Sequence, residues 1–197
     1  MSKGRMEAFS DGVIAILITI MVLELHAPEA TSWQALQPIV PTFLAYVLSF
    51  IFVGIYWANH HHMLQLTESV NGAILWANMH LLFWLSLIPF ATAWMGEHHF
   101  AEAPTALYGI VLLGSGFAYT LLQRAIIREQ GPGSRLAAAV GRDKKGIASV
   151  ALYAIAIPLA LFEPAIARWL YVGVALMWLV PDPRIEKHIR DKHASKV

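Results

Sequence analysis

The sequence predicts an all-α, polytopic membrane protein with six transmembrane helices, and three observations carry that prediction. Six sparsely charged, largely apolar runs lie at about 8–25, 39–58, 72–95, 104–122, 147–162 and 165–180, and a spanning helix needs ~17–20 such residues. The composition agrees: of 197 residues 57% are hydrophobic and 14% charged, with a mean hydropathy of +0.56, where a soluble domain carries about 25% charge. The basic residues also fall on one side of the alternating topology. The runs are continuous rather than alternating, which disfavours a β-barrel.

Taken in order, the first run follows Arg5-x-x-x-Phe9-Ser10-Asp11-Gly12. Asp11 interrupts its apolar core and no small-residue cleavage site follows, so it reads as a retained span and not a signal peptide. The second and third runs meet the spanning length easily. Pro89 and Pro158 fall inside predicted helices, where kinks are expected because a proline frees a carbonyl. The connection at about 129–145, with Gly131-Pro132-Gly133, is the longest on its side, and no repeat of the Phe-Ser-Asp element marks a second half. The fifth and sixth runs are short and separated only by Glu163-Pro164, which predicts a tight helical hairpin. The segment 183–197 is a polar, mixed-charge tail. The chain 1–197 reads as one six-helix domain.

Six spans put both termini and the 2–3 and 4–5 connections on one side. That side holds 13 of the 14 Lys and Arg residues, leaving Arg168 opposite. The positive-inside rule then predicts a multi-pass protein of the cell membrane with both termini cytoplasmic. The outer connections carry Glu24, Glu29, Glu97, Glu102 and Glu163, an acidic surface that concentrates cations weakly. Cysteine is absent, which removes thiolate chemistry and disulfides, and the basic residues form no stripe suited to nucleic acid.

On the first helix, Ile16, Thr19, Ile20 and Leu23 fall within an arc of about 100°. Such a face either packs in a bundle core or lines a narrow, nearly dry pathway. Asp11 projects roughly 120° from its centre at 100° per residue. It is therefore expected to point into the bundle, with a partner among Arg5, His60, His61, His62 and Asn78. An ionised group in a span marks a functional position by default.

The element Arg5-x-x-x-Phe9-Ser10-Asp11, followed by an aliphatic helix containing Thr19, resembles the signature of the transmembrane-protein-175 family of potassium channels. The resemblance continues in Tyr56-Trp57-x-x-His60, Trp76-x-Asn78 and Pro89-Phe90. It rests on motifs in the first three runs and on topology and length in the last three. It implies a homotetramer in which the first helix of each subunit lines a central pore, with no carbonyl selectivity filter. It further implies a hydrophobic constriction at Ile16, with Leu23 and Ile20 as further rings, and a potassium-preferring hydroxyl layer at Thr19. Arg5, Phe9, Ser10, Asp11, Trp57, His60 and Asn78 are implied as the network that holds the first helix. The helical wheel, by contrast, sets Arg5 near the lined face. Rings of aliphatic side chains gate by dewetting, whereas threonine oxygens partly replace an ion's water shell.

Three consecutive histidines, His60-His61-His62, cannot all meet one metal, because neighbours on a helix point about 100° apart. His60 reads as a buried hydrogen-bonding partner, against a pH-sensing role or a metal site with Glu68; no metal or other cofactor is expected. His98 and His99 read as solvated. Glu24 is either a cation-attracting ring at the outer mouth or a snorkelling acid. Trp33, Trp84, Trp94, Trp169 and Trp178 read as interfacial belts and helix packing. A membrane enzyme would need a clustered nucleophile or metal set, and the sequence offers only the histidine run with Asp11 nearby. A proton- or sodium-coupled secondary transporter would favour paired halves with mid-membrane polar residues. The favoured reading is a moderately potassium-selective cation channel that passes monovalent cations across the bilayer.

Overall fold

The structure, a computed structural model, describes residues 2–141 and 143–179. Its elements are α1 (Lys3–Leu23), a 3-10 turn (Trp33–Ile39), α2 (Val40–Gln65), α3 (Gly72–Ser86), α4 (Ile88–Glu97), α5 (Glu102–Gln130), α6 (Arg135–Val140), α7 (Lys144–Ala160) and α8 (Pro164–Leu179). Four segments are long and apolar enough to cross a membrane: α1, the 3-10 turn with α2, α3 with α4, and α5. The tail at 183–197 and Arg142 lie outside the described residues.

Local chemistry explains the boundaries. Pro41 sits in the first turn of α2, where its missing N–H costs nothing. Asn71, Ser134 and Asp143 cap α3, α6 and α7 by accepting from the N–H groups of Ile74, Ala137 and Gly146. Gly131 ends α5 with φ 87°, a left-handed conformation that favours glycine. At the far end, His99 and Phe100 also take positive φ in the tight turn between α4 and α5, closed by Phe100 N–H to Met95 C=O at 2.8 Å. Arg168 packs its guanidinium 4.6 Å from the Phe100 ring centroid and ties the start of α8 to that turn.

The helices depart from the apolar runs in three places. α1 begins five residues before the run at 8–25, because Lys3, Arg5 and Glu7 extend the helix without being apolar. α2 continues past residue 58 to Gln65, since histidine and glutamine interrupt hydropathy but not helical geometry. The third run is split: Pro89 has no N–H for the Leu85 carbonyl, so α3 stops at Ser86 and α4 restarts with Ala91 N–H to Leu87 C=O at 3.0 Å. Pro158 lies near the end of α7, where little helix remains to be kinked.

α5 is the most enclosed of the four long segments, and α1 and α2 are the least. α3 and α7 flank α5, and α7 and α8 form the expected antiparallel hairpin. Glycine permits the closest approaches. A Cβ at Gly114 of α5 would meet the Trp84 ring of α3 at 2.3 Å, and one at Gly96 of α4 would meet the Thr42 backbone of α2 at 2.6 Å. A buried hydroxyl chain joins α2, α4 and α5: Tyr108 OH to Ser49 Oγ at 2.9 Å, Ser49 Oγ to Thr92 Oγ1 at 2.6 Å, and Thr92 Oγ1 to Ile88 C=O at 2.7 Å. Every member has a partner, as buried polar groups among apolar helices require.

Candidate functional site

α1 has two unlike faces. Met6, Ser10, Ile14, Leu17 and Met21 recur at helical spacing and are buried against α2, α3 and α4. Opposite them run Arg5, Phe9, Gly12, Ile16, Thr19 and Leu23, alternating steps of four and three, with Ile20 beside them. Ile16 is 56% and Leu23 72% exposed, against 1% for Ile14, so the division between faces is sharp. The 4–3 alternation is the spacing by which helices pack on one another in a shallow left-handed wind. Thr19 Oγ1 donates to the Ile16 carbonyl at 2.8 Å, which satisfies its proton and leaves its lone pairs available.

The buried face is gripped by two sets of polar contacts. In the first, Ser10 Oγ donates to the Met6 carbonyl at 2.8 Å and accepts from Asn78 Nδ2 at 2.9 Å. The amide orientation this dictates turns Asn78 Oδ1 to His60 Nε2 at 2.7 Å, so Nε2 carries the proton. Ser10, Asn78 and His60 are all buried and join α1 to α3 and α2. His60 Nδ1 is buried without a partner among the described residues.

The second set is an antiparallel ladder between α1 and α2 with one rung per turn. Lys3 Nζ reaches the Gln65 carbonyl at 3.5 Å, Glu7 Oε1 lies 3.4 Å from His61 Nδ1, and Asp11 Oδ1 accepts from Trp57 Nε1 at 3.1 Å. The His61 ring stacks on the Trp57 indole at 19° with centroids 6.0 Å apart, and its Nε2 meets Gln65 Nε2 at 2.8 Å.

Of the network expected from the sequence, the structure brings together Ser10, Asn78 and His60, and separately Asp11 and Trp57. Asp11 accepts from the Trp57 indole, whereas the candidates drawn from charge and amide chemistry were Arg5, His60, His61, His62 and Asn78. Arg5 and Phe9 are not drawn in. Both are exposed on the bare face, and Arg5 makes no hydrogen bond or ion pair among the described residues. Glu7 was missed, and His61, expected as a candidate partner of Asp11, pairs with Glu7 instead; each stands four residues from a residue already named. Glu24 sits at the end of α1, half-buried. Two tryptophans are not simple belt residues: Trp178 Nε1 donates to Ser149 Oγ at 2.8 Å and Trp84 Nε1 to His80 Nε2 at 3.0 Å, both inside the bundle. Among the described residues no three His, Asp or Glu side chains gather to hold a metal.

In this helical membrane bundle the first helix is held on one face and bare along the other, a stripe open to lipid or to another subunit. Comparison with known proteins bears on the same helices. The family model of the endosomal/lysosomal potassium channel TMEM175 matches residues 5–89, the stretch that contains both sets of contacts. A potassium channel of Chryseobacterium sp. (strain P1-3) is 57% identical over 97% of this chain and all of its own length. The endosomal/lysosomal proton channel TMEM175 of Gallus gallus is 27% identical over 66% of this chain and 29% of its own length. The crystal structure of a lysosomal potassium-selective channel TMEM175 homolog from Chamaesiphon minutus shares the fold at a TM-score of 0.75. It is 25% identical, with 90% of this chain and 96% of that chain covered. The chain belongs to the TMEM175 potassium channel family and is a membrane protein.

Proposed function

We propose that this chain is the subunit of a homotetrameric, moderately potassium-selective cation channel in the cell membrane, with six spans and both termini cytoplasmic. The bare face of α1 carries the reading. A helix that spends polar contacts on fixing its rotation, yet leaves an apolar stripe uncovered, fits one whose stripe faces copies of itself around an axis. The 4–3 spacing of the stripe supports the same arrangement.

In such a tetramer four Ile16 side chains form the narrowest ring, and Ile20 and Leu23 form rings toward the outer mouth. Water leaves a constriction of this kind, and a cation cannot follow without its hydration shell, so the ring closes the pathway by dewetting. Thr19, one turn beyond Ile16, offers four hydroxyl oxygens to a partly dehydrated ion, and potassium loses its shell at lower cost than sodium. No carbonyl filter is invoked. The rotation of α1 is set by Ser10, Asp11, Trp57, His60 and Asn78, and a change there alters gating or assembly before it alters the conduction path. Glu24 would lie at the outer mouth, where its charge draws cations. The relatives named as potassium channels support the choice of permeant ion.

The test is Ile16→Asn in protein reconstituted into potassium-loaded liposomes. A polar ring stays wet, so leak flux is expected to rise severalfold over wild type. Unchanged flux in a well-folded variant removes Ile16 from the gate.

A further inference from the structure

About 165° round α2 from the face that grips α1, a cavity of about 50 Å³ lies between α2, α5, α7 and α8. That is room for about four water-sized positions. Its walls are mostly aromatic, with Tyr56, Tyr119, Tyr153 and Trp178 contributing rings, and Asp143 supplies a carboxylate from the start of α7. The polar atoms in these walls are biased in one direction. Tyr119 OH already donates to the Asn59 carbonyl at 3.3 Å, Thr120 Oγ1 to the Gly116 carbonyl at 2.9 Å, and Trp178 Nε1 to Ser149 Oγ at 2.8 Å. Tyr56 OH is likewise directed to the Leu112 carbonyl, at 3.5 Å. With those protons committed, the walls offer mainly acceptor lone pairs, ring faces and the Asp143 carboxylate, beside one remaining amide N–H of Asn59 and the Tyr153 hydroxyl.

A guest that complements such walls donates hydrogen bonds, carries positive charge and has some apolar surface. A bare alkali ion meets the first need poorly and leaves the rings facing water. The chain supplies a chemical precedent: Lys145 Nζ, a primary ammonium, stands 5.8 Å from the Trp178 ring centroid. We propose that this cavity binds a small primary alkylammonium ion, with its ammonium toward Asp143 and the hydroxyl lone pairs and its carbon chain against Tyr153 and Trp178. The nearby Lys145 charge offsets part of the Asp143 attraction, and a guest of about four heavy atoms is held with a dissociation constant on the order of 1 mM.

The experiment is isothermal titration calorimetry of the full-length protein in detergent and sodium buffer, with propylammonium chloride as the titrant. Wild type is expected to bind one equivalent per chain. Asp143→Asn is expected to weaken binding about tenfold, while asparagine keeps the cap on Gly146 N–H and so keeps α7 in place. Tyr153→Leu is expected to weaken it severalfold. Thr19→Ala, on the bare face of α1, is expected to leave it unchanged. Absence of binding to wild type, wild-type binding by Asp143→Asn, loss of binding in Thr19→Ala, or equal binding of potassium chloride would each overturn the proposal.

Discussion

Asn78 does the most with one side chain. It donates to Ser10 and accepts from His60 within a buried layer, so its truncation leaves the His60 Nε2–H without an acceptor and Ser10 Oγ with only its bond to Met6. Interhelical hydrogen bonds among membrane helices are often worth less than 1 kcal/mol because the unfolded helices find other partners. The orphaned buried His60 N–H raises that figure, and Asn78→Ala is expected to lower stability by about 1–3 kcal/mol. Ser10→Ala, which also removes the proton that needed the Met6 carbonyl, is expected to cost less. Thermal unfolding of both variants in one detergent checks the order, and equal losses would contradict the central place given to Asn78. Much of this layer was legible at the level of single residues. Ser10, Asp11, Trp57, His60 and Asn78 are polar or amphipathic positions in otherwise apolar runs, and such positions need partners in a membrane. Which residue meets which was less legible, because a wheel gives direction round one helix and not height against the next. Hence Asp11 was matched to charged and amide candidates, while its donor is the Trp57 indole.

The missing information was one of register between elements. Lys3, Glu7 and Asp11 rise one turn at a time along α1, and Gln65, His61 and Trp57 fall one turn at a time along α2. Two antiparallel helices with polar residues at spacing four pair in this way, so the ladder was available from the sequence once α2 was allowed to run past its histidines. The run boundary at residue 58 hid it. The break between α3 and α4 was foreshadowed by Pro89, whereas the close approach of α5 to α3 had no sequence signal beyond the small residues Gly114, Ser115 and Gly116. That approach is testable. In Gly114→Ala the new Cβ meets the Trp84 ring at 2.3 Å, and Trp84 is held in turn by His80. The helices must separate or the indole must leave its partner, and a loss of about 1–3 kcal/mol is expected. Wild-type thermal stability in that variant would show that the α3–α5 contact is looser than described.

At the scale of the whole molecule, polar contacts are concentrated behind α1 and apolar surface is left in front of it. Among membrane helices an apolar face left bare meets either lipid or another subunit. Here Phe9, Ile16, Ile20 and Leu23 remain uncovered, and the proposed tetramer gives them a common axis. The sequence suggested this division through the arc from Ile16 to Leu23, but an aliphatic arc alone is equally a core face; the structure, by burying Met6, Ile14, Leu17 and Met21 instead, removes that ambiguity for the subunit. What passes along that axis is read from the reversal potential of the purified protein in a planar bilayer with potassium on one side and sodium on the other. A potassium-preferring channel gives a reversal shifted toward the potassium equilibrium potential, and a smaller shift with current retained in Thr19→Ala. Absence of current, with saturable uptake that requires a gradient of a second ion, would contradict it and favour a coupled transporter.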